Sequence, residues 1–133
     1  MAMLLKRLLD PTRVRKIQGS FSWIDHRLIT GGFLGDLSTI EILLYLFLVA
    51  VSDRHGLSFY HQDKIASLLK IDLPSLGKAR EGLIHRSLLA YEPPLYQILS
   101  LPSRPIALLP PEEIVVRQRQ TALQAIRKIQ EAL

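Results

Sequence analysis

The sequence predicts an α+β domain that is mainly helical and carries one small β-hairpin. Three observations predict this class: an almost continuous apolar helix behind a capping box, two amphipathic helices close together, and two short strands around a proline turn. The chain has 133 residues, 48% hydrophobic and 22% charged, which is enough for one compact domain with modest extensions. We expect a core domain at residues 21–101, a basic arm at 1–20, a proline-rich connector at 102–111 and a C-terminal helix at 112–133.

The first elements are predicted from local composition. Residues 3–9 carry leucines on one side and Lys6 and Arg7 on the other, which predicts a short helix that ends before Pro11. Aromatic and β-branched residues at 21–29 predict a short strand or extended segment, with Phe21 and Trp23 in the core. The glycines of residues 31–35 predict a loop.

The best-defined boundary is the capping box of Ser38 and Glu41, which begins a helix that we expect to end near Ser52. Residues 40–51 are almost all apolar, so we expect this helix to be covered on most sides. Residues 53–56 break it, and residues 57–60 favour a short strand.

Two helices are predicted next. The helix at residues 61–70 has apolar positions that we expect to face the core: Ile65, Ala66, Leu68 and Leu69. Asp72 can cap the second helix, which begins near Leu73 and Pro74. Its core positions are Leu76, Ala79 and Leu83, and its opposite face carries Ser75, Lys78, Glu81 and His85.

The last elements are a hairpin and a helix. Residues 88–91 and 95–101 favour two strands joined by Glu92-Pro93-Pro94. Four prolines stiffen the connector, and Pro110-Pro111-Glu112-Glu113 favours the start of the final helix, which we expect to end at Leu133. Its apolar stripe comprises Val115, Ala122, Ile126, Ile129 and Leu133.

The order helix, strand, helix, helix, hairpin resembles the winged helix–turn–helix family. The residues that carry the likeness are Leu37-Ser38, Tyr45, Leu46, Gly56-Leu57-Ser58, Asp63-Lys64-Ile65-Ala66, Leu69, Asp72 with Ser75, Ala79, Leu83, and Leu88-Leu89-Ala90-Tyr91. Residues 21–48 are similar to the first winged-helix domain of bacterial and plasmid replication initiators, and small helix–turn–helix proteins of mobile elements also look like this.

The chain departs from the family pattern at Arg80, where an apolar residue is expected, and at Ser87, where glycine is usual. Gly77 and Gly82 inside the second helix each cost about 1 kcal/mol relative to alanine.

The resemblance implies binding of double-stranded DNA, in transcription control or in replication and transposition accessory work. In such proteins a recognition helix enters the major groove and presents polar side chains to base edges. The residues expected at the bases are Ser75, Lys78 and Glu81, and those expected at flanking phosphates are Lys64, Lys70, Arg80 and Arg86. A winged helix that binds another protein, without DNA, is the alternative.

The charge distribution favours an acidic partner. The chain has a formal net charge of +5, and its arm holds five basic residues against Asp10 alone. Arg13, Arg15 and Lys16 are expected to contact phosphates, although a solvated tail has the same composition.

The remaining composition argues against other classes. The absence of cysteine excludes a disulfide scaffold, a thiolate zinc site and a cysteine nucleophile, and it fits a reducing cytoplasm. The histidines lack zinc-site spacing, so we expect neither a metal, a cofactor nor an enzyme. Residues 1–9 lack the pattern of a signal peptide, and residues 40–51 are too short to span a bilayer, so we expect no membrane association.

The terminal helices raise the question of assembly. Each has an apolar stripe that one small core does not obviously cover. They either pack together as an extra layer or form a two-fold interface, and we expect a homodimer through these helices.

Overall fold

The computed structural model describes residues 5–106 and 123–131. It confirms the α+β class with four helices, three strands and a further helical segment. The helices are α1 (Arg27–Thr30), α2 (Thr39–Val51), α3 (Gln62–Leu69) and α4 (Leu73–His85), and residues 123–131 form α5. The strands are β1 (Leu57–Phe59), β2 (Leu89–Glu92) and β3 (Leu95–Ile98).

The strands form one antiparallel sheet in the order β1-β3-β2, so the hairpin contributes the central strand. Tyr96 in β3 is opposite Ser58 on one side and Tyr91 on the other. The predicted hairpin is confirmed, with Pro93 and Pro94 as its two-residue turn because Glu92 still pairs with Leu95. Gly56 precedes β1 at φ +83°, and a Cβ there would lie 2.5 Å from the carbonyl oxygen of Ile98. A glycine is therefore required where β1 closes on β3.

The core lies between α2, α4 and the sheet. Its most deeply buried side chains come from all of these elements and from α3: Leu44, Leu48, Ile65, Leu76, Leu83, Leu88, Leu89 and Tyr96. The predicted inward positions of α4 are confirmed, since Leu76, Ala79 and Leu83 are all buried. The spacing of three and four residues thus places one face of α4 on the core and leaves the other available.

The capping box at α2 is confirmed. The Ser38 amide donates to Oε1 of Glu41 at 2.8 Å, and the Glu41 amide donates to the Ser38 hydroxyl at 3.2 Å. Each side chain satisfies an amide that the first helical turn leaves unpaired.

Two predictions for the N-terminal part of the chain differ from the structure, one in the arm and one at the start of the core domain. Residues 5–9 are not helical, and Asp10 instead caps a short 3-10 turn at Pro11–Arg13 by accepting from the Thr12 amide at 3.0 Å. At residues 21–29 no strand forms. Residues 21–25 lie in neither helix nor strand, as the alternative of an extended segment allows, and α1 begins at Arg27, where the Asp25 carboxylate accepts from the Arg27 amide at 2.8 Å. A strand needs a hydrogen-bonding neighbour, whereas this helical turn closes with local partners.

Several apolar residues that were expected in the core are on the surface. Phe21 and Trp23 are 71% and 77% exposed, and Leu68 of α3 is 51% exposed. The helix α2 is covered on most sides as predicted, but one stripe that includes Leu43 and Leu46 is exposed. Apolar composition alone therefore overstates how much of this chain a small core buries.

Some predictions fall outside the described residues. They include residues 3 and 4 of the predicted N-terminal helix, the connector beyond residue 106 and the start of the C-terminal helix, with Val115, Ala122 and Leu133 of its stripe. Within α5, Ile126 and Ile129 are exposed.

Candidate nucleic-acid interface

The candidate interface is built on the connection between α3 and α4. α3 ends at Leu69, Lys70 follows in the left-handed conformation at φ 59°, and α4 begins at Leu73. Such a short turn between two helices, followed by a second helix with an exposed face, is the arrangement that helix–turn–helix proteins use.

Asp72 fixes the beginning of α4. Its Oδ1 accepts a hydrogen bond from the Ser75 amide at 2.7 Å, so the side chain caps the helix as predicted. Hydrogen bonds from the side chain and the amide of Ser75 lower the pKa of Asp72, so its carboxylate stays ionised at the positive end of the helix dipole.

The predicted base-contacting residues lie along one side of α4. Ser75 is half-buried, and Lys78 and Glu81 are exposed. They line a groove of about 680 Å³ that α4 forms with the N-terminal turn of α2, whose residues there are Ser38, Thr39, Ile40 and Glu41. His85, one turn further, has its Nε2 3.9 Å from Oε2 of Glu81. The structure therefore brings Ser75, Lys78 and Glu81 together on one accessible surface.

Of the predicted phosphate contacts, two remain available and two have other partners. Lys64 and Lys70 are exposed on α3 and in the turn. Arg86 instead forms an ion pair with Glu41, in which the side chains are 11% and 10% exposed. Arg80 is half-buried between α4 and the hairpin. The expectation that Arg80 and Arg86 lie freely beside a phosphate backbone is not supported by these positions.

Arg80 connects α4 to the hairpin. Its guanidinium lies 4.4 Å from the centre of the Tyr91 ring, and Nη1 donates to the Tyr96 hydroxyl at 3.2 Å. The rings of Tyr91 and Tyr96 are stacked with their centres 4.4 Å apart. Burial raises the pKa of the Tyr96 phenol, and the hydrogen bond from Arg80 opposes that shift. A half-buried cation between α4 and the hairpin is thus accommodated by two aromatic rings.

Sequence reasoning missed the buried ion pair behind the interface. Glu41 was interpreted only as a capping residue, but its second carboxylate oxygen binds Nη1 of Arg86. The two residues are 45 positions apart, so no local pattern could show that they meet.

The arm residues Arg13, Arg15 and Lys16 are exposed, and their chain joins the domain at the other end of α2. There the hydroxyl of Ser22 donates to the carbonyl oxygens of Ala50 and Ser52, each at 3.3 Å. At 1.5 Å per residue, this anchor is about 15 Å along α2 from the groove at Glu41.

Two properties of the described residues bear on other kinds of site. Among residues 5–106 and 123–131, no group of three or more histidines and carboxylates is placed to hold a metal ion. In the same part of the chain, no helix has the length and apolar character that a bilayer crossing requires.

Comparisons with models of protein families, with curated proteins and with solved structures find no match to this chain.

Proposed function

We propose that this protein binds double-stranded DNA as a winged helix in which α4 is the recognition helix. The observation that carries the proposal is the pair α3 and α4, joined by a short turn, with Ser75, Lys78 and Glu81 on the accessible side of α4. The order of elements and the pairing of β1 with β3 support it, because a winged helix–turn–helix has this order. The role is binding rather than catalysis, in transcription control or in replication or transposition accessory work.

Each side chain on the proposed interface has a distinct role. Lys78 donates to a guanine acceptor or a phosphate, Glu81 accepts from the cytosine amino group, and Ser75 donates or accepts. Lys64 and Lys70 contact phosphates that flank the major groove of the DNA. Arg80 has a positioning role, since it holds α4 against the hairpin through Tyr91 and Tyr96.

The basic arm adds contacts that do not depend on DNA sequence. Arg13, Arg15 and Lys16 are exposed, and each phosphate that they neutralise releases counterions. Deletion of residues 1–18 should therefore weaken the dependence of affinity on salt. An unchanged salt slope would remove the arm from the interface.

A homodimer is part of the proposal, through α5 alone, because the predicted N-terminal helix is absent at residues 5–9. Leu123, Ile126 and Ile129 of α5 are exposed at helical spacing, and a two-fold interface there would present two recognition helices to successive major grooves. Sedimentation at tens of micromolar protein should show a dimer that Ile126→Glu dissociates and Gln124→Glu preserves. A strictly monomeric mass would contradict the dimer.

An observation also favours a protein partner as the second candidate. Leu43 and Leu46 are exposed on α2, and Leu68 and Leu73 are exposed near the turn between α3 and α4. Neighbouring exposed apolar side chains form a patch of the kind that binds another protein.

The deciding experiment is selection from random duplexes, followed by fluorescence anisotropy with the selected duplex at two salt concentrations. Lys78→Ala should weaken binding by about 1–3 kcal/mol if Lys78 reads a base, or reduce the salt slope by about 1 if it contacts a phosphate. Arg54→Ala removes an exposed cation outside the interface and should leave the affinity nearly unchanged. If no duplex is enriched, or if Lys78→Ala binds like the wild type at both salt concentrations, α4 is not the recognition helix.

A further inference from the structure

The segment that joins the arm to the domain exposes two aromatic rings on a fixed backbone. Phe21 and Trp23 are 71% and 77% exposed, whereas Ser22 between them is half-buried. The Ser22 hydroxyl donates to the carbonyl oxygens of Ala50 and Ser52 at the end of α2. The serine thus attaches the segment to the domain while both rings face the solvent.

The spacing of the rings suits a flat aromatic ligand. In extended chain, residues two apart lie on the same side and their Cα atoms are separated by up to about 6.8 Å. The exposure of Phe21 and Trp23 on either side of the half-buried Ser22 follows this alternation. That distance is twice the roughly 3.4 Å between stacked bases, so one base fits between the two rings.

The chain that precedes the rings is cationic, whereas the pocket that Trp23 lines carries Asp25 and Asp53 as well as Arg54. The preceding chain carries five exposed basic residues, Lys6, Arg7, Arg13, Arg15 and Lys16, against one acidic residue. That acidic residue, Asp10, is already bound to the amide and hydroxyl of Thr12. Exposed aromatic rings next to a basic segment of the chain are the combination that binds single-stranded nucleic acid without sequence preference.

We propose that Phe21 and Trp23, together with the basic arm, form a binding site for single-stranded nucleic acid. The two rings stack on unpaired bases, and the arm follows the phosphates. A duplex is a poor ligand here because its base faces are covered by their neighbours. The site shares the arm with the proposed duplex binding but goes beyond it, since the segment that carries the two rings is anchored at the opposite end of α2 from the groove lined by Ser75 and Lys78.

Trp23 is the chain's single tryptophan, so its fluorescence reports directly on this site. Titration of the full-length protein with oligo(dT) should quench the fluorescence saturably. Anisotropy of labelled oligo(dT) should show that Phe21→Leu and Trp23→Leu each weaken binding by about tenfold, which lies within the range for loss of one base stack. The matched control is Phe59→Leu, which changes another exposed phenylalanine and should leave the affinity unchanged.

The outcomes separate this site from the interface on α4. Lys78→Ala should leave oligo(dT) binding unchanged, and Trp23→Leu should leave the base preference selected from duplexes unchanged. The inference is overturned if oligo(dT) causes no quenching, or if Phe21→Leu binds like Phe59→Leu. It is also overturned if polyglutamate binds as tightly as oligo(dT), which would assign the surface to an acidic protein partner. Because both rings are exposed, thermal melting should show that the variants remain folded.

Discussion

The carboxylate of Glu41 occupies the space that a side chain at Gly82 would need. A Cβ placed on Gly82 would collide with Oε2 of Glu41, the oxygen that binds Arg86. α2 and α4 are therefore in contact through a buried ion pair that lies against the bare backbone of α4. The glycine inside α4 is a condition for this packing, although glycine is the weaker helix former.

The first prediction compares the two glycines of α4. Gly77→Ala should raise the free energy of unfolding by up to about 1 kcal/mol, because its Cβ would meet only Nη2 of Arg80 at 3.9 Å. Gly82→Ala should lower it by about 1–3 kcal/mol, since overpacking displaces the Glu41 carboxylate. Urea denaturation of both variants measures the difference. If both substitutions stabilise the protein, the Glu41 side chain yields freely and the contact is not structurally important.

The second prediction concerns the ion pair itself. Glu41→Gln keeps an acceptor for the Ser38 amide but removes the charge, and Arg86→Met removes the cation with little change in volume. Each single variant leaves a charge about nine-tenths buried without its partner and should lose about 3 kcal/mol.

The double variant should lose clearly less than the sum of the two single losses, because neither charge is then left alone. A double-mutant cycle from urea denaturation should give a coupling of about 1–3 kcal/mol. Additive losses would mean that Glu41 and Arg86 stabilise the fold independently.

Much of the fold follows from local signals. The capping box at Ser38 and the aspartate cap at Asp72 each satisfy amides within three residues, so their effect is visible in a short stretch of sequence. The spacing of Leu76, Ala79 and Leu83 likewise fixes which face of α4 is buried. The prediction of Ser75, Lys78 and Glu81 on the opposite face depends on that spacing alone, and the structure places them there.

The wrong predictions concern residues whose burial or secondary structure depends on whether a partner distant in sequence packs against them. Phe21 and Trp23 have the composition of a strand, but no neighbouring strand pairs with them and the core is filled without them. Arg80 belongs to a core-facing position, and only the placement of Tyr91 and Tyr96 makes a cation acceptable there. Gly82 suggested a weakened helix, because the sequence does not show that Glu41 packs against it.

The third prediction concerns the pH dependence of stability at the start of α4. Hydrogen bonds from Ser75 lower the pKa of Asp72 in the folded state. A lowered folded pKa means that the stabilisation is fully present above the unfolded value of about 3.9 and is lost as the pH falls through the folded pKa below it.

Asp72→Asn retains a capping acceptor that does not titrate. The melting temperature of the wild type relative to Asp72→Asn should therefore fall as the pH decreases below about 4 and stay constant between about pH 5 and 8. Other aspartates with lowered pKa values, such as Asp53, affect both proteins equally and cancel in the difference. A difference in melting temperature that does not change across this range would show that the Asp72 charge does not stabilise α4.

The fourth prediction uses the conformation that follows α4. Ser87 has φ 58°, a left-handed conformation that costs a residue with a Cβ about 1 kcal/mol and costs glycine little. Winged helix–turn–helix proteins, which the sequence resembles, usually have glycine at this position, and the left-handed backbone explains that preference. Ser87→Gly should raise the free energy of unfolding by about 0.5–1 kcal/mol and the melting temperature by a few degrees.

The same substitution at Ser67, an exposed position within α3, should lower the free energy of unfolding by about 0.5 kcal/mol because glycine is the weaker helix former there. Opposite signs for the two serines would establish that the left-handed residue at the end of α4 is strained; loss of stability in both would show that Ser87 adopts its conformation without cost.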